Sequence, residues 1–258
     1  MGLAFQILRK YPSASKNLAN SFLFILPLMV LYELAITLSG SSVKNTADVI
    51  VKTPLEIFGR NGTLIFNLII ISIFFYAAFH LEKDKKHVSG LSVRIYTLMF
   101  LESVIYALLL GQASQFLVNQ FMPSSASGES NLFGIWNLEP GISLSSTRGI
   151  GIILSIGAGV YEEIVFRLLL LSALYFIFVK MCKINDGIGG FLSIVTGAII
   201  FSSMHYIGAL SDTFSTESFL FRFMAGLILS TIFIFRGLGI AVYTHALYDV
   251  WVMLKLYS

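Results

Sequence analysis

The chain has 258 residues, of which 56% are hydrophobic and only 12% are charged, and its formal net charge is +3. Soluble globular proteins contain about 25% charged residues, so this composition excludes a water-soluble domain and indicates a polytopic membrane protein. The basic residues lie in short clusters between apolar segments, which is typical of topology determinants and gives no indication of a nucleic-acid partner. The single cysteine, Cys182, excludes an internal disulfide and a cysteine-based metal cluster.

Seven apolar segments predict an all-α bundle of about seven transmembrane helices, because each segment is long enough to cross much of a bilayer core. In chain order the predicted spans are 22–38, 64–79, 95–118, 150–182, 191–209, 219–235 and 240–256. An amphipathic segment at 47–58 predicts a short helix at the membrane surface, and it would make an eighth span if it crossed. The Ser- and Gly-rich segment 119–147 is either a lid or a linker.

The fourth span is the longest of the seven. As one helix it would measure about 50 Å at 1.5 Å per residue, which is more than a bilayer core needs. We therefore expect it to tilt, to protrude or to break near Gly157 and Gly159.

The distribution of basic residues favours a cytoplasmic amino terminus. With that orientation, ten Lys and Arg residues lie on the inside and six on the outside, and Arg167 lies within the membrane. If segment 47–58 crossed the membrane, the orientation of every later span would be inverted.

The fourth span carries three charged residues, Glu162, Glu163 and Arg167, in an otherwise apolar segment. Each buried charge costs at least about 2.5–3.5 kcal/mol on insertion scales, so three together indicate a function. Glu163 and Arg167 are four residues apart and can pair on one helix face, whereas Glu162 points about 100° away and is available to a group from another helix. The alternative is that Glu163 and Arg167 form an ion pair that only stabilises the helix. Glu33 and Glu102 are single acids in other spans, which we expect to bond locally or to face an aqueous edge.

Two later spans carry polar pairs at helical spacing. Phe201 and His205 share one helix face, and so do His245 and Asp249. A carboxylate close to an imidazole can hold and deprotonate a water, and a second imidazole can donate to the oxyanion that forms when a peptide carbonyl is attacked. The same groups are also a familiar zinc shell of two imidazoles and a carboxylate. Alone, each histidine would more simply be a core residue, so the combination of the three motifs carries the hypothesis.

These three motifs resemble the signature of the CAAX-protease and bacteriocin-processing (CPBP, or Abi) family of intramembrane proteases. The quoted residues are Glu162-Glu163-x-x-x-Arg167, Phe201-x-x-x-His205 and His245-x-x-x-Asp249, and the Arg236-Gly-Leu-Gly turn also fits. The resemblance covers residues 149–251. The sequence shows no internal repeat and no second domain, so it predicts one membrane domain, 1–258, in which 1–147 provides amino-terminal spans and loops and 148–258 is the catalytic core with the three motifs.

The resemblance implies that Glu162 is the general base, with His205 beside it, and that His245 and Asp249 stabilise the oxyanion. Glu163 and Arg167 would be supporting residues. Where this chain has Asp249, the family most often has asparagine, which can donate a hydrogen bond as an ionised aspartate cannot. Asp249 must therefore be protonated, orient His245 or ligate a metal.

The metal question stays open at this level, because the family is described both as metalloproteases and as glutamic-type proteases. We favour a site without a cofactor, since a bracing arginine suits a carboxylate without a cation. A divalent metal such as zinc is the alternative, with Glu162, His205 and His245 as its ligands.

The sequence thus predicts an intramembrane endopeptidase that cuts a membrane-anchored protein or peptide within a lipid bilayer. The compact form favours a prokaryotic plasma membrane. Two alternatives are a non-proteolytic immunity or scaffold protein of the same fold, and a proton-coupled transporter that uses the same charges as a relay.

Overall fold

A computed structural model describes residues 11–39, 62–83, 93–122, 144–207 and 212–256. All regular structure in these residues is helical, and the prediction of an all-α membrane bundle is confirmed. The predicted helix at 47–58 and most of segment 119–147 lie outside the described residues.

Seven long helical segments follow a short helix at 11–16. They are α1 Leu18–Ser39, α2 Gly62–Lys83, α3 Val93–Phe121, α4 beginning with Leu144–Glu162, α5 Asp186–Met204, α6 Thr216–Arg236 and α7 Leu238–Leu256. Beyond Glu162, α4 continues as π-helix Glu163–Leu171, α-helical turn Ser172–Tyr175 and π-helix Phe176–Met181.

Two boundaries differ from the expectation in a way that affects the site. α5 ends at Met204 rather than near 209, so His205 caps the helix instead of lying inside it. α4 runs through Gly157 and Gly159 without a break and changes its hydrogen-bond pattern at Glu163 instead. Single π-helical turns are rare and frequently occur at functional sites.

Five helical segments of the described chain have the length and apolarity of a membrane span, namely Leu18–Ile36, Val93–Phe121, Gly149–Met181, Asp186–Met204 and Thr216–Arg236. α2 and α7 do not meet this measure among the described residues. The total of seven or eight spans therefore stays a prediction.

Helix ends follow from local sequence. The side chain of Asn185 accepts from Gly187 N at 2.9 Å before α5, and Ser215 accepts from Ser218 N at 3.1 Å before α6. Gly237 ends α6 with φ +95°, a conformation that favours glycine. Only a single residue separates α6 from α7, and the two helices pack against each other.

α7 is the central helix of the described bundle. It packs against α1, α3, α4 and α6, and Ile240, Ala241 and Val242 are fully buried. This packing encloses the first half of α7 in protein, where residues 238–246 are all buried. His245 is consequently held inside the bundle, next to α4.

α4 and α7 approach each other closely at Gly159. A Cβ atom at this position would lie 2.5 Å from Ala246 Cβ and 2.6 Å from the Ala246 backbone nitrogen. We therefore expect Gly159→Ala to destabilise the protein by about 1–3 kcal/mol, as overpacking does, and to lower its melting temperature in detergent. Gly149→Ala on the same helix is the matched control, because no described atom lies within 4 Å of its Cβ position. Equal melting temperatures for the two variants would contradict this packing.

Candidate active site

The charged residues of α4 lie where its α-helix becomes a π-helix. Glu163 and Arg167 are almost fully buried, at 0% and 1% exposure, and Arg167 Nη1 lies 2.8 Å from Glu163 Oε1. The pair thus has the predicted i, i+4 geometry. A buried charge needs such a partner because water cannot solvate it.

Glu163 has a second partner that the local spacing does not reveal. Its Oε1 lies 2.7 Å from Nδ1 of His245, which α7 brings alongside α4. The other ring nitrogen of His245, Nε2, lies 3.4 Å from Asp249 Oδ2 and 4.0 Å from Glu162 Oε2. His245 is therefore surrounded by three carboxylates, of which Glu163 makes the closest contact.

His205, at the end of α5, approaches the carboxylate of Glu162. Its Nδ1 lies 3.0 Å from the backbone oxygen of Phe201, and its Nε2 lies 3.9 Å from Glu162 Oε2. A carbonyl oxygen can only accept, so Nδ1 donates and Nε2 of the neutral ring is an acceptor. About a quarter of the His205 side chain is exposed, whereas Glu162 and His245 are buried. The site is therefore open on the His205 side.

Phe201 is at the centre of this cluster. Its ring lies 4.3 Å from Arg167 Cζ, and its centroid lies 5.0 Å from that of His205 and 6.3 Å from that of His245. The aromatic face stabilises the guanidinium by a cation–π contact, and the same ring packs against both imidazoles. This arrangement accounts for a phenylalanine one turn before His205.

The structure thus brings Glu162, Glu163, Arg167, His205, His245 and Asp249 together in one cluster. The predicted span boundaries place His205 near the outer end of its helix and His245 near the inner end of its own, which would keep them apart. They nevertheless meet at one oxygen of Glu162. His205 follows the last residue of α5, whereas His245 lies only seven residues after the start of α7. The end of α5 therefore lies near the first half of α7.

Glu33 and Glu102 both form hydrogen bonds to residues that are distant in the sequence. Glu33 is 5% exposed and accepts a hydrogen bond from Tyr161 OH, so α1 is tied to the residue before Glu162. Glu102 accepts from Arg236 at 2.5 and 2.8 Å and from Tyr11. Both acids therefore join elements that are far apart in the sequence, which no spacing rule predicts.

A further polar cluster lies beside His205. Arg222 of α6 donates to Tyr206 OH at 2.9 Å and pairs with Asp212. Burial raises the pKa of the Asp212 carboxyl, and the nearby Arg222 charge opposes this effect. No local spacing rule predicts these contacts of Arg222, because its partners are 10 and 16 residues away.

The chemistry of Glu162, His205 and His245 fits a divalent metal such as zinc, because each imidazole holds an acceptor with Nδ1 and presents Nε2. The spacing is wider than in a formed site. Ligands 2.0–2.1 Å from a tetrahedral zinc lie about 3.3 Å apart, whereas these atoms are 3.9 and 4.0 Å apart. No group of three or more His, Cys, Asp or Glu residues in the described chain is arranged to hold a metal ion.

Comparison with known proteins agrees with the motif pattern. Residues 130–251, just under half of the chain, match the family model described as type II CAAX prenyl endopeptidase Rce1-like. This match agrees with the resemblance of the three polar motifs to the CPBP family. No curated protein and no solved structure gives a significant match to the chain.

The matched segment 130–251 contains all three polar motifs. It begins 19 residues before segment 149–251, which carries the resemblance to the CPBP family. It indicates a CAAX-type intramembrane endopeptidase, which is a hydrolase acting on a membrane-embedded protein substrate. The apolar helices agree with integral location in a lipid bilayer. Orientation of the amino terminus and a prokaryotic source stay predictions.

Proposed function

We propose that the protein hydrolyses a peptide bond of a membrane-anchored protein or peptide, with Glu162 as the general base and His205 beside it. The observation that carries this proposal is the 3.9 Å separation of Glu162 Oε2 and His205 Nε2, two acceptors that face each other at the open side of the site. One water can donate a hydrogen bond to each of two such acceptors. Its oxygen lone pairs are then left to attack a carbonyl carbon.

In the proposed reaction, Glu162 moves the proton of the attacking water. The water oxygen forms a bond to the carbonyl carbon while its proton passes to Glu162, and the carbonyl oxygen becomes negative. When the carbon–nitrogen bond breaks, Glu162 returns the proton to the leaving amine. Arg167 stays paired with Glu163 and holds that side chain in place.

His245 is the proposed donor to the oxyanion. Because Nδ1 contacts the Glu163 carboxylate at 2.7 Å, donation from Nε2 requires the imidazolium form of the ring. The carboxylates of Glu163 and Asp249 on the two sides of the ring stabilise that positive charge. Of the three roles open to Asp249, we therefore propose that it stabilises and orients His245.

The cofactor-free mechanism is part of the proposal. If a metal is bound instead, Glu162, His205 and His245 would hold it, and it would supply Lewis-acid activation. We expect purified, active protein to contain far less than one equivalent of zinc or another transition metal, and to retain activity after dialysis against a chelator. One equivalent of metal, together with loss of activity on its removal, would contradict the cofactor-free site.

The function is tested by proteomics of membrane-tail and carboxyl-terminal fragments. Cells with the intact chain, cells without it and cells with Glu162→Ala are compared at equal protein levels. We expect fragments that occur only with the intact chain. Fragments that persist with Glu162→Ala would overturn the assignment of the base, and a phenotype without fragments that is insensitive to Glu162→Gln would instead indicate a scaffold role. Proton-coupled uptake in proteoliposomes without proteolysis would favour a transporter.

A further inference from the structure

Arg222 is a buried cation close to the site but outside the three motifs. It lies in the second turn of α6 and is only 5% exposed. Its guanidinium donates to Tyr206 OH at 2.9 Å and to the Asp212 carboxylate, and its Cζ lies 5.3 Å from the Tyr206 ring centroid. A cation held in this way restrains every group that it contacts.

The groups that Arg222 holds are attached directly to His205. Tyr206 is the next residue, and its hydroxyl also donates to Ser218 Oγ at 3.0 Å. The backbone nitrogen of Asp212 donates to the backbone oxygen of His205 at 2.9 Å. The turn that carries His205 is therefore bonded on both sides to residues that Arg222 fixes.

His205 needs such support because α5 ends at Met204. Helix ends fray, and a side chain just beyond a helix lacks the restraint of a continuing backbone ladder. The imidazole has its own bond to the oxygen of Phe201, but about a quarter of the side chain is exposed. Without further contacts, Nε2 would not keep a constant distance from Glu162.

We propose that Arg222 is a positioning residue for His205, acting through Tyr206 and Asp212. This inference rests on the proposed function, because it assigns Arg222 a role in holding the acceptor that faces Glu162. Arg222 touches neither Glu162 nor the reacting atoms in this assignment. Its effect is on the geometry of the water-binding pair.

The test is Arg222→Gln, assayed with purified protein and a quenched-fluorescent peptide that ends in a prenylated CAAX sequence, or with a fragment-yielding substrate from the proteomic comparison. A misplacement of about 1 Å can cost about 100-fold in rate, so we expect kcat to fall by about 10- to 100-fold. KM should stay within about twofold of the wild-type value, because the substrate contacts are intact. If wild-type activity requires Glu162 but Arg222→Gln keeps the wild-type kcat, the inference is overturned and the proposed function stands.

Arg236→Gln is the matched control. Arg236 is on the same helix and also pairs with a partly buried carboxylate, that of Glu102. It lies 14 residues from Arg222, which is about 21 Å along an α-helix. We expect the melting temperature of Arg236→Gln to fall, as that of Arg222→Gln does, whereas its kcat should equal the wild-type value. Equal loss of kcat in both variants would show a general packing effect and overturn the inference.

Tyr206→Phe gives a milder test that removes one hydroxyl group and keeps the ring. We expect kcat to fall with little change in melting temperature, so the test holds even if Arg222→Gln folds poorly. In the double variant the loss should not exceed that of Arg222→Gln alone, since residues that act as a unit are not additive. Losses that multiply, or a kcat of Tyr206→Phe equal to the wild-type value, would overturn the inference.

Discussion

Replacement of Glu162 by glutamine is expected to lower kcat for peptide cleavage by about 10²–10⁴-fold, the usual contribution of a general base. The amide keeps the size of the side chain but cannot take a proton from water. We expect folding to be preserved, because glutamine fills the same volume as glutamate and its amide oxygen can still accept a hydrogen bond. The measurement is kcat of purified protein together with its melting temperature.

The control for this variant is the same substitution at the neighbouring residue, Glu163. Glu163→Gln should lower both activity and melting temperature, whereas Glu162→Gln should lower activity alone. Wild-type kcat in Glu162→Gln would remove this residue from the mechanism. Loss of folded protein in that variant would show that Glu162 is structural.

Replacement of Glu163 by alanine is expected to give the largest loss of stability. Glu163 is the partner of Arg167 at 2.8 Å and of His245 at 2.7 Å, and its removal leaves the buried guanidinium without its carboxylate. Breaking a buried ion pair in this way costs about 3–5 kcal/mol. We expect a lower yield of folded protein and a strongly reduced melting temperature.

A double variant separates the two roles of Glu163. In Glu163→Ala with Arg167→Met both charges are absent, and apolar replacement of a whole buried pair is often neutral for stability. We expect the melting temperature to recover while cleavage stays lost, since Nδ1 of His245 still lacks its acceptor. Recovery of cleavage would show that Glu163 serves only as a brace for Arg167.

Much of the architecture followed from local sequence. Apolar length and the scarcity of charge predicted helices close to the observed bounds, because each depends on hydrophobic burial along a single segment. The pairing of Glu163 with Arg167 followed from the i, i+4 rule in the same way. Local rules did not predict the early end of α5 at Met204, which places His205 on a turn.

Long-range contacts are the part that the sequence left open. The contact of Glu163 with His245 joins residues 82 positions apart, Glu33 meets Tyr161 across 128, and Glu102 meets Arg236 across 134. Such contacts depend on how the helices are arranged in space, and no periodicity in one segment encodes that arrangement. The role of Arg222 belongs to this class.

The sequence by itself determined that this is a helical membrane protein with three polar motifs suited to the activation of water, because composition and helical spacing are properties of single segments. The tertiary structure decided which groups face one another. It placed Nε2 of both His205 and His245 within 4.0 Å of one Glu162 oxygen, and it put Glu163 on the far side of the His245 ring. The physical reason is that α7 packs against α1, α3, α4 and α6, with Gly159 permitting a close approach to α4.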